Sequence, residues 1–111
     1  MGKNTEIKLT GQNSLSFLPK IESAIGAHLL NQSITEQINL YYWREGNHEV
    51  DFVLQKGKKT IGIEVKSGRN KSSTGIPAFS QRFKPTKILV VGREGIPIEE
   101  FLTIPVSDLF N

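Results

Sequence analysis

Three residues in the middle of the chain have types and spacing suited to chemistry. Asp51 interrupts the apolar run Val50-Asp51-Phe52-Val53-Leu54, and Glu64-Val65-Lys66 closes a second apolar run that opens at Ile61. Two carboxylates a few ångströms apart repel, which raises one pKa or demands a cation between them. A hard divalent cation such as Mg²⁺ or Mn²⁺ accepts carboxylate oxygens and keeps several waters, leaving room for a phosphate oxygen. Metal binding turns a bound water into a nucleophile and stabilises charge on phosphoryl oxygens. Lys66 projects to the same side as Glu64, where its ammonium can orient that water or neutralise the developing charge. The chemistry such a set would suit is phosphodiester hydrolysis. The same triplet also suits a surface salt bridge, because Glu-x-Lys is common on exposed strand faces. An acid set inside an apolar strand weighs against that alternative.

The elements that must position these residues can be read from periodicity. Ile21, Ala24, Ile25, His28 and Leu29 recur at three- and four-residue spacing, with Pro19 near the first turn, which predicts a helix ending near Asn31. Gly26 weakens it without stopping it. Ile38-Asn39-Leu40-Tyr41-Tyr42-Trp43 reads as a strand and Glu45-Gly46-Asn47-His48 as a turn. The Val50 to Leu54 run and the Ile61 to Lys66 run are the next two strands, joined at Lys56-Gly57-Lys58, so the three form an antiparallel meander. A polar loop, a short helix around Ile76 to Phe83, and the apolar strand Lys87-Ile88-Leu89-Val90-Val91-Gly92 follow. That last run has the composition of a strand buried on both faces. Pro97 opens a final helical turn holding Glu99, Glu100, Phe101 and Leu102. A strand reached through a helix implies a mixed sheet with helices on both faces.

Strand alternation sorts the candidates by face. Ile61, Ile63 and Val65 share one side, leaving Gly62, Glu64 and Lys66 on the other. In the preceding strand Val50, Phe52 and Leu54 share a side, leaving Glu49, Asp51 and Val53 opposite. Asp51 then lies on the face of Glu64 and Lys66, provided the register does not slip by one.

With 111 residues, 37% apolar and 23% charged, the chain has the size and balance of one globular domain. Residues 1–15 are polar and unpatterned and read as a flexible lead-in; residues 16–111 read as a single domain. No apolar run approaches the ~20 residues of a membrane span, and the start lacks a signal-peptide layout, so a cytoplasmic location and no membrane partner are expected. With no cysteine, disulfides and thiolate metal sites are excluded. Charge is unevenly spread. From Lys56 to Lys87 nine cations face one acid, a net +8, while the rest of the chain has five cations and ten acids, a net −5. Such asymmetry suits a polyanion such as DNA, or a lysine-coated solvated surface. Ser67, Gly68, Arg69 and Lys71 form a basic loop that either contacts phosphates or is a mobile surface loop. His28 reads as a packed helix residue and His48 as a solvated turn residue. Tyr41, Tyr42 and Trp43 can stack on bases, although alternate members of a strand more readily pack in the core.

A helix glutamate, a strand aspartate, Glu-x-Lys on the next strand, then a helix and a strand together resemble the PD-(D/E)XK nuclease superfamily. More narrowly, Tyr42-Trp43-Arg44-Glu45, Glu49-Val50-Asp51-Phe52-Val53-Leu54 and Ile63-Glu64-Val65-Lys66-Ser67-Gly68 resemble a domain of unknown function found C-terminal to the AAA+ core of a prokaryotic ATPase family. The runs at 27–31, 91–92 and 99–102 extend the likeness to roughly residues 19–110. It implies a restriction-endonuclease-like α/β/α sandwich with a central mixed sheet. Asp51, Glu64 and the Val65 carbonyl would be metal ligands, Lys66 the catalytic lysine, and Glu22 a helper from the first helix. Gln81 would be a polar residue touching the site, and Arg69, Lys71 and Lys84 DNA contacts. Val50 stands where many members carry proline before the metal aspartate, at a position that varies widely. No phosphate-cradling Gly-x-x-x-x-Gly-Lys-Ser/Thr loop occurs, so ATP hydrolysis would belong to other residues of a larger ATPase, of which this chain is the C-terminal piece. Three functions follow: a Mg²⁺- or Mn²⁺-dependent nuclease domain acting on DNA, a non-catalytic DNA-binding or regulatory module, or a protein-interaction domain whose charges only form salt bridges.

Overall fold

The computed structural model describes residues 4–8, 20–45, 48–66 and 75–111, and their side chains from 23 onward except at 45 and 48. Five strands form one sheet in sequence order: β1 (Asn4–Lys8), β2 (Asn39–Glu45), β3 (His48–Lys56), β4 (Lys59–Lys66) and β5 (Lys87–Gly92). The first three pairings are antiparallel, and β4 with β5 is parallel. A parallel partner needs a crossover, which α2 (Gly75–Phe83) supplies. The other helices are α1 (Lys20–Glu36), α3 (Ile98–Phe101) and a closing 3₁₀ turn, Val106–Phe110. This is the mixed α/β sandwich expected. Asn4–Lys8, read from sequence as lead-in, instead pairs along β2 as an edge strand. Five residues are too few for alternation to distinguish them from a polar tail.

Each face of the sheet has its own core. On one side Ile25, Leu29 and Leu30 of α1 meet Leu40, Phe52, Leu54, Ile61, Ile63 and Val65, closed by Phe101, Val106, Leu109 and Phe110. On the other, Phe79 of α2 packs with Trp43, Val50 and Val53, with Ile76, Phe83 and Ile88 around them. Trp43 is fully buried and meets Phe79 and Phe83 edge-on at 5.4 and 5.8 Å, so it is a core residue and not a stacking platform. His28 is likewise packed, its ring edge-on to Phe101 and its Nε2 3.1 Å from the Ile104 carbonyl oxygen.

Two expectations about packing are corrected. α1 turns Ala24 outward and buries Gly26, Leu30 and Ser33 beside Ile25 and Leu29. Ser33 tolerates burial because its hydroxyl donates to the Leu30 carbonyl at 2.8 Å. The helix also continues past Asn31 to Glu36. It stops where Gln37 takes a left-handed φ of 59° and Ile38 N–H donates back to the Ser33 carbonyl at 2.9 Å, a Schellman ending without glycine. Second, β5 is an edge strand whose only fully buried residue is Val91. The strand buried on both faces is β4, whose residues 61–65 are all inaccessible. An apolar run cannot tell these cases apart, because Ile88 is half covered by α2 even at the edge.

Candidate functional site

The centre of β4 carries the first unusual residue. The space above Gly62 is filled by Phe79 and Ile88, which fixes that side of β4 as the α2 face. Glu64 follows by alternation on the same face, opposite Val90 of β5, and is only 2% exposed. A carboxylate is almost never buried so deeply without compensation. Its Oε1 is inaccessible and accepts no hydrogen bond among the described residues, although Glu64 makes other interactions.

Asp51 is the second, at 3% exposure. Alternation from Val53 through Phe52, in step with Gly62 and Ile63, carries it to Glu64, and the irregularity begins at its other neighbour. Tyr41 pairs with Val53, but Trp43 pairs with Val50, so β3 spends one more residue than β2 between those points. Asp51 and Phe52 both fall opposite Tyr42. Such a bulge re-aims side chains and disrupts pairing. Its effect is that Val50 joins the α2-side core while Phe52 and Leu54 join the α1-side core. The expectation that Val50, Phe52 and Leu54 share a face is therefore corrected. The paired β3–β4 ladder runs from Lys56↔Lys59 only as far as Phe52↔Ile63. One step further on, where Asp51 would oppose Glu64, the Val65 N–H donates to Asp51 Oδ2 at 2.9 Å. The carboxylate thus takes over a ladder hydrogen bond and is pinned beside the Glu64 backbone.

Lys66 ends β4, half-buried, on the same alternation as Glu64. Its carbonyl accepts the Arg93 N–H at 3.0 Å, which fixes the strand end against the turn after β5. The N-terminus of α2 closes the other side. A Cβ on Gly75 would lie 1.8 Å from the Glu49 carbonyl oxygen, so only glycine lets the helix start this close to β3.

Tyr42 and Glu49 complete the cluster, and the sequence reading missed them as site residues. The Tyr42 hydroxyl donates to Glu49 Oε2 at 2.6 Å. Its pKa is pushed up to about 12, chiefly by burial, then by the Glu49 hydrogen bond and charge, with Arg44 opposing and Asp51 adding a smaller push. The available signal was spacing: Tyr42 and Glu49 flank the β2–β3 turn.

The remaining candidates fall elsewhere. Glu22 lies in the first turn of α1, and its side chain is outside the described residues, as are Arg69 and Lys71. Gln81 is exposed on α2, about 9 Å of helix rise beyond Gly75. Lys84 is exposed just past α2, and Thr86 two residues later donates to the Thr60 carbonyl at the opening of β4. It therefore sits at the opposite end of β4 from Glu64. Among the described residues no three His, Cys, Asp or Glu side chains converge as a metal group. Nor, among those residues, is any helix long and apolar enough to cross a membrane.

The family model described as "Domain of unknown function (DUF4143)" matches residues 19–109. The chain belongs to that family. No curated protein and no solved structure matches it. The match spans α1 through nearly all of the closing 3₁₀ turn, so the buried pair, the bulge and Lys66 all belong to the DUF4143 domain. Strand β1 precedes the matched region.

Proposed function

We propose that this DUF4143 domain is a PD-(D/E)XK-type, metal-dependent nuclease domain acting on DNA phosphodiesters, and that it works behind an AAA+ ATPase core. The observation that carries the reading is the burial of two carboxylates at one step of adjacent strands, Asp51 at 3% and Glu64 at 2% exposure. Burying like charges together is costly unless a cation compensates them. Two carboxylates with the Val65 carbonyl fit an ion that keeps most of its waters, as Mg²⁺ or Mn²⁺ does. When bound, such an ion supplies an acidified water and neutralises phosphoryl oxygens.

The chain's own residues do the rest. Asp51 is held by the Val65 N–H, so its carboxylate is oriented before any ligand arrives. Lys66 is one alternation step from Glu64 and half-buried, which supports a role for its ammonium in orienting an attacking water or meeting a phosphate. The strand ends on either side are fixed by Arg93 and by α2, which limits motion of the reacting groups.

The test is nicking of supercoiled DNA by the purified chain across Mg²⁺, Mn²⁺ and Ca²⁺. Nicking with Mg²⁺ or Mn²⁺ is expected, falling at least about 10²-fold in Glu64→Ala and Lys66→Ala, the scale for losing one charge-stabilising group. Binding without cleavage under any metal would replace this reading with a non-catalytic DNA-binding module of the ATPase. Equal cleavage by the two variants would show that the activity comes from elsewhere.

A further inference from the structure

Residues 61–65 of β4 are inaccessible, so among the described residues of that strand Lys66 is the first beyond Glu64 that a partner can reach. Approach to the carboxylate pair is therefore from the end of the strand and not across either face. β4 and β5 run parallel, and Lys66↔Gly92 is their last pair, so two carboxyl ends lie side by side there. In open α/β sheets the crevice outside such ends is where ligands bind.

What stands next to Lys66 is set by backbone geometry. Gly92 has a φ of 104°, and a Cβ on it would overlap the Lys66 carbonyl oxygen, so only glycine lets the chain turn this close to β4. Backbone hydrogen bonds then lock the turn. Arg93 N–H donates to the Lys66 carbonyl at 3.0 Å, Gly92 N–H to Ile96 at 2.7 Å, and Ile96 N–H to Val90 at 2.9 Å. Arg93 is thus fixed at the end of β4, with its side chain exposed. Among the described residues neither Lys66 nor Arg93 has an ion-pair partner, although Glu64 is one alternation step from the first and Glu94 adjoins the second.

We infer that Arg93 is a further substrate contact, its guanidinium holding a phosphate next to the one that Lys66 and the carboxylate pair receive. Two neighbouring cations without a paired acid attract an anion. A guanidinium suits phosphate in particular, because its planar fork takes two oxygens at once. Since the turn is held by its own backbone bonds, binding orders little beyond the Arg93 side chain. Such a contact positions the nucleic acid without reading its sequence. Lys58 is exposed at the other end of β4, in the β3–β4 hairpin, and serves as an internal control. The inference rests on the proposed DNA substrate but concerns binding, so cleavage can fail without it.

The experiment is fluorescence anisotropy of a short labelled DNA duplex with the full chain in Ca²⁺ over a KCl series. Wild type, Arg93→Gln, Arg93→Lys and Lys58→Gln are compared, with circular dichroism to verify folding. Arg93→Gln is expected to lower the slope of log K against log salt by about 0.9, the value for one phosphate no longer neutralised. Arg93→Lys keeps the charge and should restore the slope, and Lys58→Gln should leave it as in wild type. Where the chain nicks DNA, Arg93→Gln should raise KM and keep kcat, as loss of a contact made equally in ground and transition states does. If these slopes are seen but no metal supports nicking, only the nuclease reading falls. An unchanged slope in Arg93→Gln, an equal drop in Lys58→Gln, or no duplex binding by wild type overturns the inference. So does displacement of the duplex by inorganic phosphate at constant ionic strength, which would mark a site for the free ion. Equal affinity for polyglutamate, the mark of a surface for acidic protein, overturns it as well.

Discussion

Strands β3 and β4 lie side by side along their length, but the two ends of that contact are built on different principles. At the hairpin end the ladder is regular from Lys56↔Lys59 to Phe52↔Ile63, and Leu54 and Ile61 face each other in an apolar core. At the other end one extra residue in β3 breaks the alternation, a side chain replaces a backbone acceptor, and two acids are buried. The regular end obeys every local rule and carries its charge outside. The irregular end breaks two such rules at one place. Conflict between local preference and global fold tends to collect where function does, which is why the second end is the candidate site.

The comparison breaks first if packing does not dominate where the ladder is regular. Phe52 is the last residue of that ladder and is fully buried. Phe52→Ala should cost about 3–5 kcal/mol by urea denaturation, enough to leave much of a marginally stable domain unfolded. A loss below about 1 kcal/mol would mean that the α1-side core is not assembled around this strand.

At the irregular end the decisive quantity is a difference between two substitutions. Asp51→Ala leaves the buried Val65 N–H without its acceptor, costing about 1–3 kcal/mol. Asp51→Asn keeps an acceptor oxygen and removes one of two neighbouring negative charges, so without metal it should be at least as stable as wild type. Mg²⁺ at ten times its dissociation constant should then add about 1.4 kcal/mol to wild type and nothing to Asp51→Asn. If the Asn variant falls as far as the Ala variant without metal, the carboxylate is not substituting for a ladder acceptor.

Back at the hairpin, Gly57 tests backbone alone. Its φ is +60° and a Cβ there would meet nothing within 4 Å, so Gly57→Ala introduces no clash and leaves the packing as it is. With Lys58 at ordinary φ this is the arrangement of a type II′ turn, which favours glycine at its first central position. The expected cost is about 1–2 kcal/mol, read as a fall in Tm of several degrees. A neutral result would show that the register is held by the strands and not by the turn.

The contrast between the ends also explains what the sequence could tell. The hairpin, the limits of β5 and the faces of β4 were legible, because glycine at 57 and strict alternation from Ile61 to Lys66 each have one structural meaning. The bulge was not. Val50-Asp51-Phe52-Val53 contains no glycine to mark it, and its apolar residues fit either face because both faces carry a core. Asp51 was placed beside Glu64 by an alternation that holds from Leu54 back to Asp51 and fails only at Val50, and it is held there by a hydrogen bond that no pattern announces. The lysines were visible as a charge block, but their division between two ends of β4 depends on where α2 returns the chain. That return is set by Lys84 in a left-handed conformation, φ 48°, with its N–H on the Ser80 carbonyl, a residue type that does not signal such a stop.

Tyr42 gives the finest probe of the irregular end, because it stands opposite the bulge and senses both acids on β3. Its pKa rises from 10.0 to about 12 through burial, the Glu49 hydrogen bond and charge, and a smaller push from Asp51. The phenol is charged only when it loses its proton, so a raised folded value means the folded chain holds that proton longer than the unfolded one. The associated stability is fully present below pH 10.0 and is lost as pH climbs through about 12. Tyr42→Phe should cost about 0.5–1.5 kcal/mol near neutrality, where the hydrogen bond is lost, and should flatten the decline between those two pH values. Lys58→Gln, at the hairpin end, should leave that decline as it is. Urea midpoints collected from pH 7 to 12 measure both effects. An alkaline decline in Tyr42→Phe as steep as wild type would mean that the phenol is not coupled to the acids. The two ends of β3–β4 would then differ in packing but not in electrostatics.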